Sequence, residues 1–276
     1  YWPMADAPAP DDNLETTGTG AAKRSWGESL ATYFHRRVVG MWFLGFSAGL
    51  PLLLVFSTLS LWLAESGVSK ASIGFFAWIG ITYSVKVFWS PVVDQVKLPF
   101  LTNAMGRRRS WMLLGQIGIM AGLIGMAVTD PRQDLFMIAV FGVIVAFSSS
   151  TQDIAIDAYR IEAADKDYQA AMSAMYIFGY RIAMLVAGAG ALYIAAGFGW
   201  EIAYVAMAVI MLVGVVTVLI VAEPEITRNR PSIFDQPEVK AIVDAGGTRH
   251  PGLVKAEAWI VGAIVSPFVD FFRRHG

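Results

Sequence analysis

A chain of 276 residues with mean hydropathy +0.54, 56% hydrophobic and only 16% charged residues is not an ordinary soluble domain, in which roughly a quarter of the residues are charged. A net charge of −1 argues against a nucleic-acid partner, and the absence of cysteine excludes disulfides and thiol chemistry. The composition points to a polytopic, all-α integral membrane protein.

Residues 1–37 are polar and rich in Pro, Gly, Ala and Thr, which predicts a disordered cytoplasmic tail. Met4 reads as a natural start, with Tyr1, Trp2 and Pro3 as upstream sequence. The first apolar run follows His35, Arg36 and Arg37 and is too long for a cleavable signal peptide. From there a six-transmembrane-helix bundle is expected over 38–222, with spans at 38–64, 71–95, 110–129, 135–159, 170–196 and 200–222. The sixth contains AYVAMAVIMLVGVVTVLIVA (203–222), long enough to cross the ~30 Å hydrocarbon core. Residues 223–256 read as a cytoplasmic loop. Residues 257–276 carry Trp259, Phe268, Phe271 and Phe272 against Arg273 and Arg274, the pattern of an interfacial amphipathic helix or the start of a seventh span.

Lysine and arginine set the orientation. The tail, the second and fourth connections and the C-terminal segment hold 17 of the 21, the opposite side only Lys70 and Arg132. The positive-inside rule then places both termini in the cytoplasm. The other two, Lys86 and Arg181, fall within spans.

Ionisable groups at membrane depth each cost roughly 2.5–3.5 kcal/mol and turn toward protein or water. They are Lys86 and Asp94 in the second span, Asp153 and Asp157 in the fourth, and Arg181 in the fifth. The second, fourth and fifth helices are therefore expected to line a polar interior, and the third and sixth to face lipid. On the fourth helix, SSSTQDIAIDAYRIE (148–162) places Asp153, Asp157 and Arg160 on neighbouring faces, widened by Ser148, Ser149 and Gln152 into a polar arc. One reading is the wall of a wet cavity whose carboxylates bind a proton or a substrate. The other is an ion-pair cluster, Asp157 with Arg160 or Asp153 with Lys86 or Arg181, that locks helices together. Lys86 and Arg181 suit an anionic substrate or simple neutralisation of the two aspartates.

Gly40, Gly45, Gly49 and Pro51 predict a bend in the first span, and AGAGA (187–191) a close-packing face. Asp94, followed by Arg107, Arg108 and Arg109, forms a candidate cytoplasmic latch; the bland alternative is topology anchoring alone. GxGD, HExxH and a nucleophile elbow are missing, which weighs against an enzyme. His35, His250 and His275 all lie outside the predicted spans, so no metal or other cofactor is expected in the bundle.

GFSAGLPLLL, SPVVD…LPF…GRRRSWMLLGQ and STQDIAIDAYR together resemble the AmpG muropeptide-permease family, the peptide–acetyl-CoA transporter branch of the major facilitator superfamily. The likeness runs from about Arg36 to Glu223, and SPFVDFFRRHG resembles the family's segment before its seventh helix. It implies a multi-pass permease of the bacterial inner membrane, driven by protons, that imports anhydromuropeptides for peptidoglycan recycling. It further implies two six-helix halves rocking about a central cavity lined by the first, second, fourth and fifth helices. This chain would be the N-terminal half, lacking a C-terminal six-helix half or partner subunit. Asp153 and Asp157 would then be proton-coupling or gating groups, and Lys86, Arg181 and Gln152 substrate contacts. Alternatives are transport of another anionic conjugate, such as an acyl-CoA, and a non-transporting membrane assembly or regulatory subunit.

Overall fold

A computed structural model describes residues 31–163, 166–224, 237–245 and 250–262. Among the described residues six helical segments are long and apolar enough to cross a membrane: Arg36–Glu65, Lys70–Phe88, Arg107–Ala127, Leu135–Ala163, Asp167–Phe198 and Trp200–Ile220. They coincide with the expected spans to within a few residues, except that the second ends at Phe88 and continues as a separate short helix, Ser90–Gln95. Residues 1–30 and 263–276, which hold most of the expected tail and interfacial helix, lie outside the described residues. Within the expected loop, Pro237–Ala245 is helical and packs on the helix Pro251–Ile260 through Val239, Ile242, Ala258 and Trp259.

The helices pair by close backbone approach. The first span packs chiefly on the fifth, and the third on the fourth. At the first of these seams, a Cβ on Gly45 would lie 2.2 Å from the Tyr176 carbonyl oxygen, and one on Gly179 2.0 Å from that of Trp42. Dispersion and carbonyl contacts at such small-residue seams drive association where lipid removes the hydrophobic incentive. The Gly45/Gly49 pair therefore serves contact between spans. The bend itself falls one turn past Pro51, at Phe56 (φ −113, ψ −94), where the first span divides into Arg36–Val55 and Ser57–Glu65.

Two apolar clusters fill the bundle. One gathers Leu50, Leu54, Leu63, Ile119, Leu123 and Met207, the other Val38, Met41, Leu44, Met112, Ile156 and Val218. Between them, at corresponding points of four helices, sit Ser47, Gln116, Gln152 and Gly214. Gln152 Nε2 donates to Ser47 Oγ at 3.2 Å, and a Cβ on Gly214 would meet Ser47 and Gln116. This polar waist is fully enclosed: Ser47, Gln116 and Gln152 are each 0% exposed.

Burial divides the spans unevenly. Of their most apolar stretches, 72% is buried in the first span and 56% in the third, but only 11% in the second and 17% in the fifth. The third span was expected to face lipid for want of charge. Instead it lies between the fourth and sixth spans, with Gly115 against the Ser148 carbonyl and Gln152. The two least buried spans also contain 3₁₀ or π turns. The second contains 3₁₀ turns at Ala77–Gly80 and Val85–Phe88, and the fifth a π-helical turn at Val186–Gly190. Such departures from α geometry concentrate at hinges and functional sites. Thr58 donates to the Ala187 carbonyl inside that wide turn, tying the AGAGA segment to the first span.

Candidate functional site

Three of the membrane-depth charges, Lys86, Asp153 and Asp157, meet between the second, fourth and fifth spans. Asp153 and Asp157 lie one turn apart on the fourth span, and Lys86 sits in the 3₁₀ turn that ends the second. Lys86 and Asp157 both act electrostatically on Asp153. Asp153 Oδ1 is buried without a hydrogen-bond partner. Neither Lys86 nor Arg181 makes an ion pair within 4.0 Å among the described residues, whereas Arg160 pairs with Asp157 at 3.3 Å. The Asp157–Arg160 pair is thus present but lies within the fourth helix and locks no two helices together, and neither pair expected for Asp153 forms among the described residues.

Aromatic residues complete the surroundings. Trp89 packs on Phe147 with ring centres 4.9 Å apart, seating the end of the second span against the fourth. Tyr83, with a buried hydroxyl that forms no hydrogen bond of good geometry, lies beside Ser149 and Asp153. Tyr176 and Tyr180 on the fifth span both lie in the field of Asp153, and the Arg160 guanidinium stacks over Tyr176 at 5.8 Å. Arg181 is exposed and joins the cluster only through Tyr180. Lys86, Asp153 and Asp157 are therefore brought together, and Arg181 stands at their edge. Gln152 is turned away into the polar waist, where no substrate reaches it in this conformation. The three tyrosines were not singled out from the sequence, although Tyr176 and Tyr180 share one face of a predicted helix at i, i+4 spacing.

A second charge cluster lies at the end of the bundle where the third span begins. Arg108, 1% exposed, donates from Nη1 to Asp94 Oδ1 at 2.6 Å, from Nη2 to Glu162 Oε1 at 2.6 Å and from Nε to Glu162 Oε2 at 3.1 Å. The guanidinium fork on Glu162 has the bidentate geometry that makes buried ion pairs tolerable. One side chain thus ties together the ends of the second, third and fourth spans. Arg109 instead caps the sixth span, donating to the Val218 and Leu219 carbonyls at 2.8 and 2.9 Å, a favourable place for a cation at a helix C-terminus. Arg107 is buried at the first position of the third helix.

Glu223, just past the sixth span, closes this arrangement. Its Oε1 and Oε2 accept from the backbone N–H groups of Arg108 and Arg109 at 2.8 and 3.1 Å, capping the third helix from a distant part of the chain. Gly106 makes the approach possible: it adopts φ 92, and a Cβ there would lie 2.4 Å from Glu223 Cδ. Burial raises the Glu223 carboxyl above its ordinary value, outweighing the two N–H donors. Glu162 and Glu223 were missed in the sequence. The available signal was the arginine triplet itself, because basic groups buried at a helix start require acids at the ends of neighbouring helices.

Residues 41–273 match the Major Facilitator Superfamily, and the chain belongs to it. It is a multi-pass membrane protein whose described residues form an all-α bundle with six candidate spans. Within the superfamily it is similar to the putative transporter AmpG 4 of Rickettsia felis, 39% identical over 240 residues, or 86% of this chain and 53% of the relative. It is also similar to the anhydromuropeptide permease of Escherichia coli K12, 34% identical over 212 residues, or 76% of this chain and 42% of the relative. The chain thus spans about half the length of the curated relatives it matches.

Proposed function

We propose that this chain forms the N-terminal half of a proton-coupled secondary transporter of the bacterial inner membrane, importing anhydromuropeptides for peptidoglycan recycling. The observation that carries the reading is Asp153: a carboxylate at membrane depth with a buried, unpartnered oxygen beside the unpaired Lys86. A carboxylate in low dielectric needs either a proton or a counter-charge. A substrate anion that engages Lys86 withdraws that counter-charge, so substrate and proton loading become linked through one ammonium group. Asp157, held by Arg160, is the second proton or gating carboxylate. Arg181 offers a further cation at the edge, and Tyr176 and Tyr180 give a sugar ring flat faces to lie on. Gln152 would join the substrate contacts only after the waist opens.

The unburied second and fifth spans support a C-terminal half packing on that side and closing the cavity. Asp94, Arg108 and Glu162, with Arg107 and Arg109 beside them, would latch the cytoplasmic side in one conformation. The name of the Escherichia coli relative supports the cargo. The test is uptake of radiolabelled anhydromuropeptide into vesicles containing the parent permease, driven by an imposed pH gradient. Asp153→Asn is expected to abolish accumulation above equilibrium while leaving exchange intact. Accumulation at the unmodified rate would remove Asp153 from coupling, and failure of the unmodified permease to take up the compound would remove the cargo.

A further inference from the structure

Away from the charges, an apolar groove of about 620 Å³ runs between the first and sixth spans, lined by Val39, Gly40, Phe43, Leu212, Val216 and Ile220 among others. Gly40 lets its two walls approach closely, because a Cβ there would stand 3.0 Å from Val221 Cγ1 across the helix contact. At its basic end the groove adjoins a second pocket of about 530 Å³, where His35, Arg37 and Tyr168 gather and whose walls share Arg36 and Val221 with the groove. An apolar trough that opens into a cationic pocket at a helix end is the shape of a diacyl lipid with a charged headgroup.

The charge balance of the pocket is one-sided. Among the described residues, Arg36, Arg37 and Arg109 act on Tyr159 in its wall, against the carboxylate of Glu223. That carboxylate is already held by two backbone N–H groups. Arg36 uses Nη2 on the Ile220 carbonyl at 3.1 Å and Arg37 uses Nη1 on that of Ala163, and each guanidinium carries five N–H donors in all. His35 stacks on Tyr168 with ring centres 4.5 Å apart, which fixes the rim. Both pockets fall within the usual size of small-molecule sites, and basic pockets between membrane helices recognise anionic headgroups.

We infer that this groove and pocket together bind one anionic phospholipid, its phosphate among Arg36, Arg37 and His35 and an acyl chain along Val216 and Phe43. The site is independent of the transport reading, because its lining includes none of Lys86, Asp153, Asp157 or Arg181. It would fasten the start of the first span to the end of the sixth.

The test uses the 276-residue chain in phosphatidylcholine nanodiscs doped with phosphatidylglycerol bearing a photoreactive diazirine in one acyl chain. Phosphatidylcholine with the same modified chain is the control, and labelled peptides are mapped by mass spectrometry. Phosphatidylglycerol is expected to label peptides containing Val39–Phe43 and Val209–Val221 in preference to the control. Arg36→Gln and Arg37→Gln should each reduce labelling about five-fold. Val216→Trp, which fills the groove and leaves the arginines in place, should remove it from both peptides. Equal labelling by the two lipids, labelling indifferent to Val216→Trp, competition by inorganic phosphate, or cross-links showing residues 1–30 in the groove would each overturn the site.

Discussion

Arg108 and Asp153 are both ionic groups enclosed by helices, yet they are treated in opposite ways. Arg108 is 1% exposed and meets two carboxylates through three contacts of 2.6 to 3.1 Å. Asp153 has a buried oxygen without a partner, and its cation, Lys86, is near enough to act on it but forms no ion pair among the described residues. The physical lesson is that a satisfied buried charge holds structure, whereas an unsatisfied one is available to a ligand. The first cluster closes one end of the bundle; the second lies between the second, fourth and fifth spans.

The contrast breaks most visibly at Arg108. Arg108→Ala leaves Asp94 and Glu162 without their shared cation, and should cost about 3–5 kcal/mol of bundle stability, read by unfolding in mixed detergent. Arg108→Lys should recover only part, since an ammonium cannot fork onto Glu162. Next comes the seam that seats Tyr176 and Tyr180 beside Asp153. Gly179→Val drives a side chain into the Trp42 carbonyl and should cost about 1–3 kcal/mol, with weakened substrate binding because the tyrosines move. Stability unchanged in that variant would mean the first and fifth spans are not held as close as described.

A smaller effect is expected at Glu223. Its folded-state carboxyl binds a proton more tightly than the unfolded one, whose ordinary value is 4.5. Stability should therefore decline as pH rises from 4.5 through the raised folded value. Glu223→Gln should remove that step and, by losing one of the two N–H contacts, lower stability by about 1 kcal/mol at low pH, a deficit that shrinks as pH rises. A pH profile identical to that of the unmodified chain would show that Glu223 is not shifted. Smallest of all is the loss at Asp153→Asn, which removes no close ion pair and relieves an unpartnered buried carboxylate, so stability should not fall while coupling is affected. A loss comparable to that of Arg108→Ala would make Asp153 a structural residue and end the contrast.

The spans were legible because uninterrupted apolar runs have few other uses, and their ends follow from where charge resumes. Side-chain direction was less so. Gln152 belongs to a polar arc covering about half of the fourth helix, and helical periodicity alone cannot say which part of it turns toward Ser47 and which toward Lys86. The third span carries no charge, but its Gly115 and Gly118 come so close to the fourth that its place is in the bundle, not at its margin. Glu162 and Glu223 look like solvated acids after a membrane helix; only the fold reveals Arg108 and the N–H groups they meet. The 3₁₀ turns of the second span leave no mark in a stretch, FFAWIGITYSVKVF (75–88), that lacks proline.

The polar waist constrains how this bundle can move. Gln116 Nε2 and Oε1 and Gln152 Oε1 are enclosed without protein partners, so together they have the capacity to hold internal water. Sliding one helix by a single turn, about 5.4 Å, would strand an amide in hydrocarbon and separate Gln152 from Ser47. Axial slippage of the fourth span against the first therefore carries a cost, and the close packing of Gly214 on Ser47 and Gln116 favours displacements in which the first, third, fourth and sixth spans travel together.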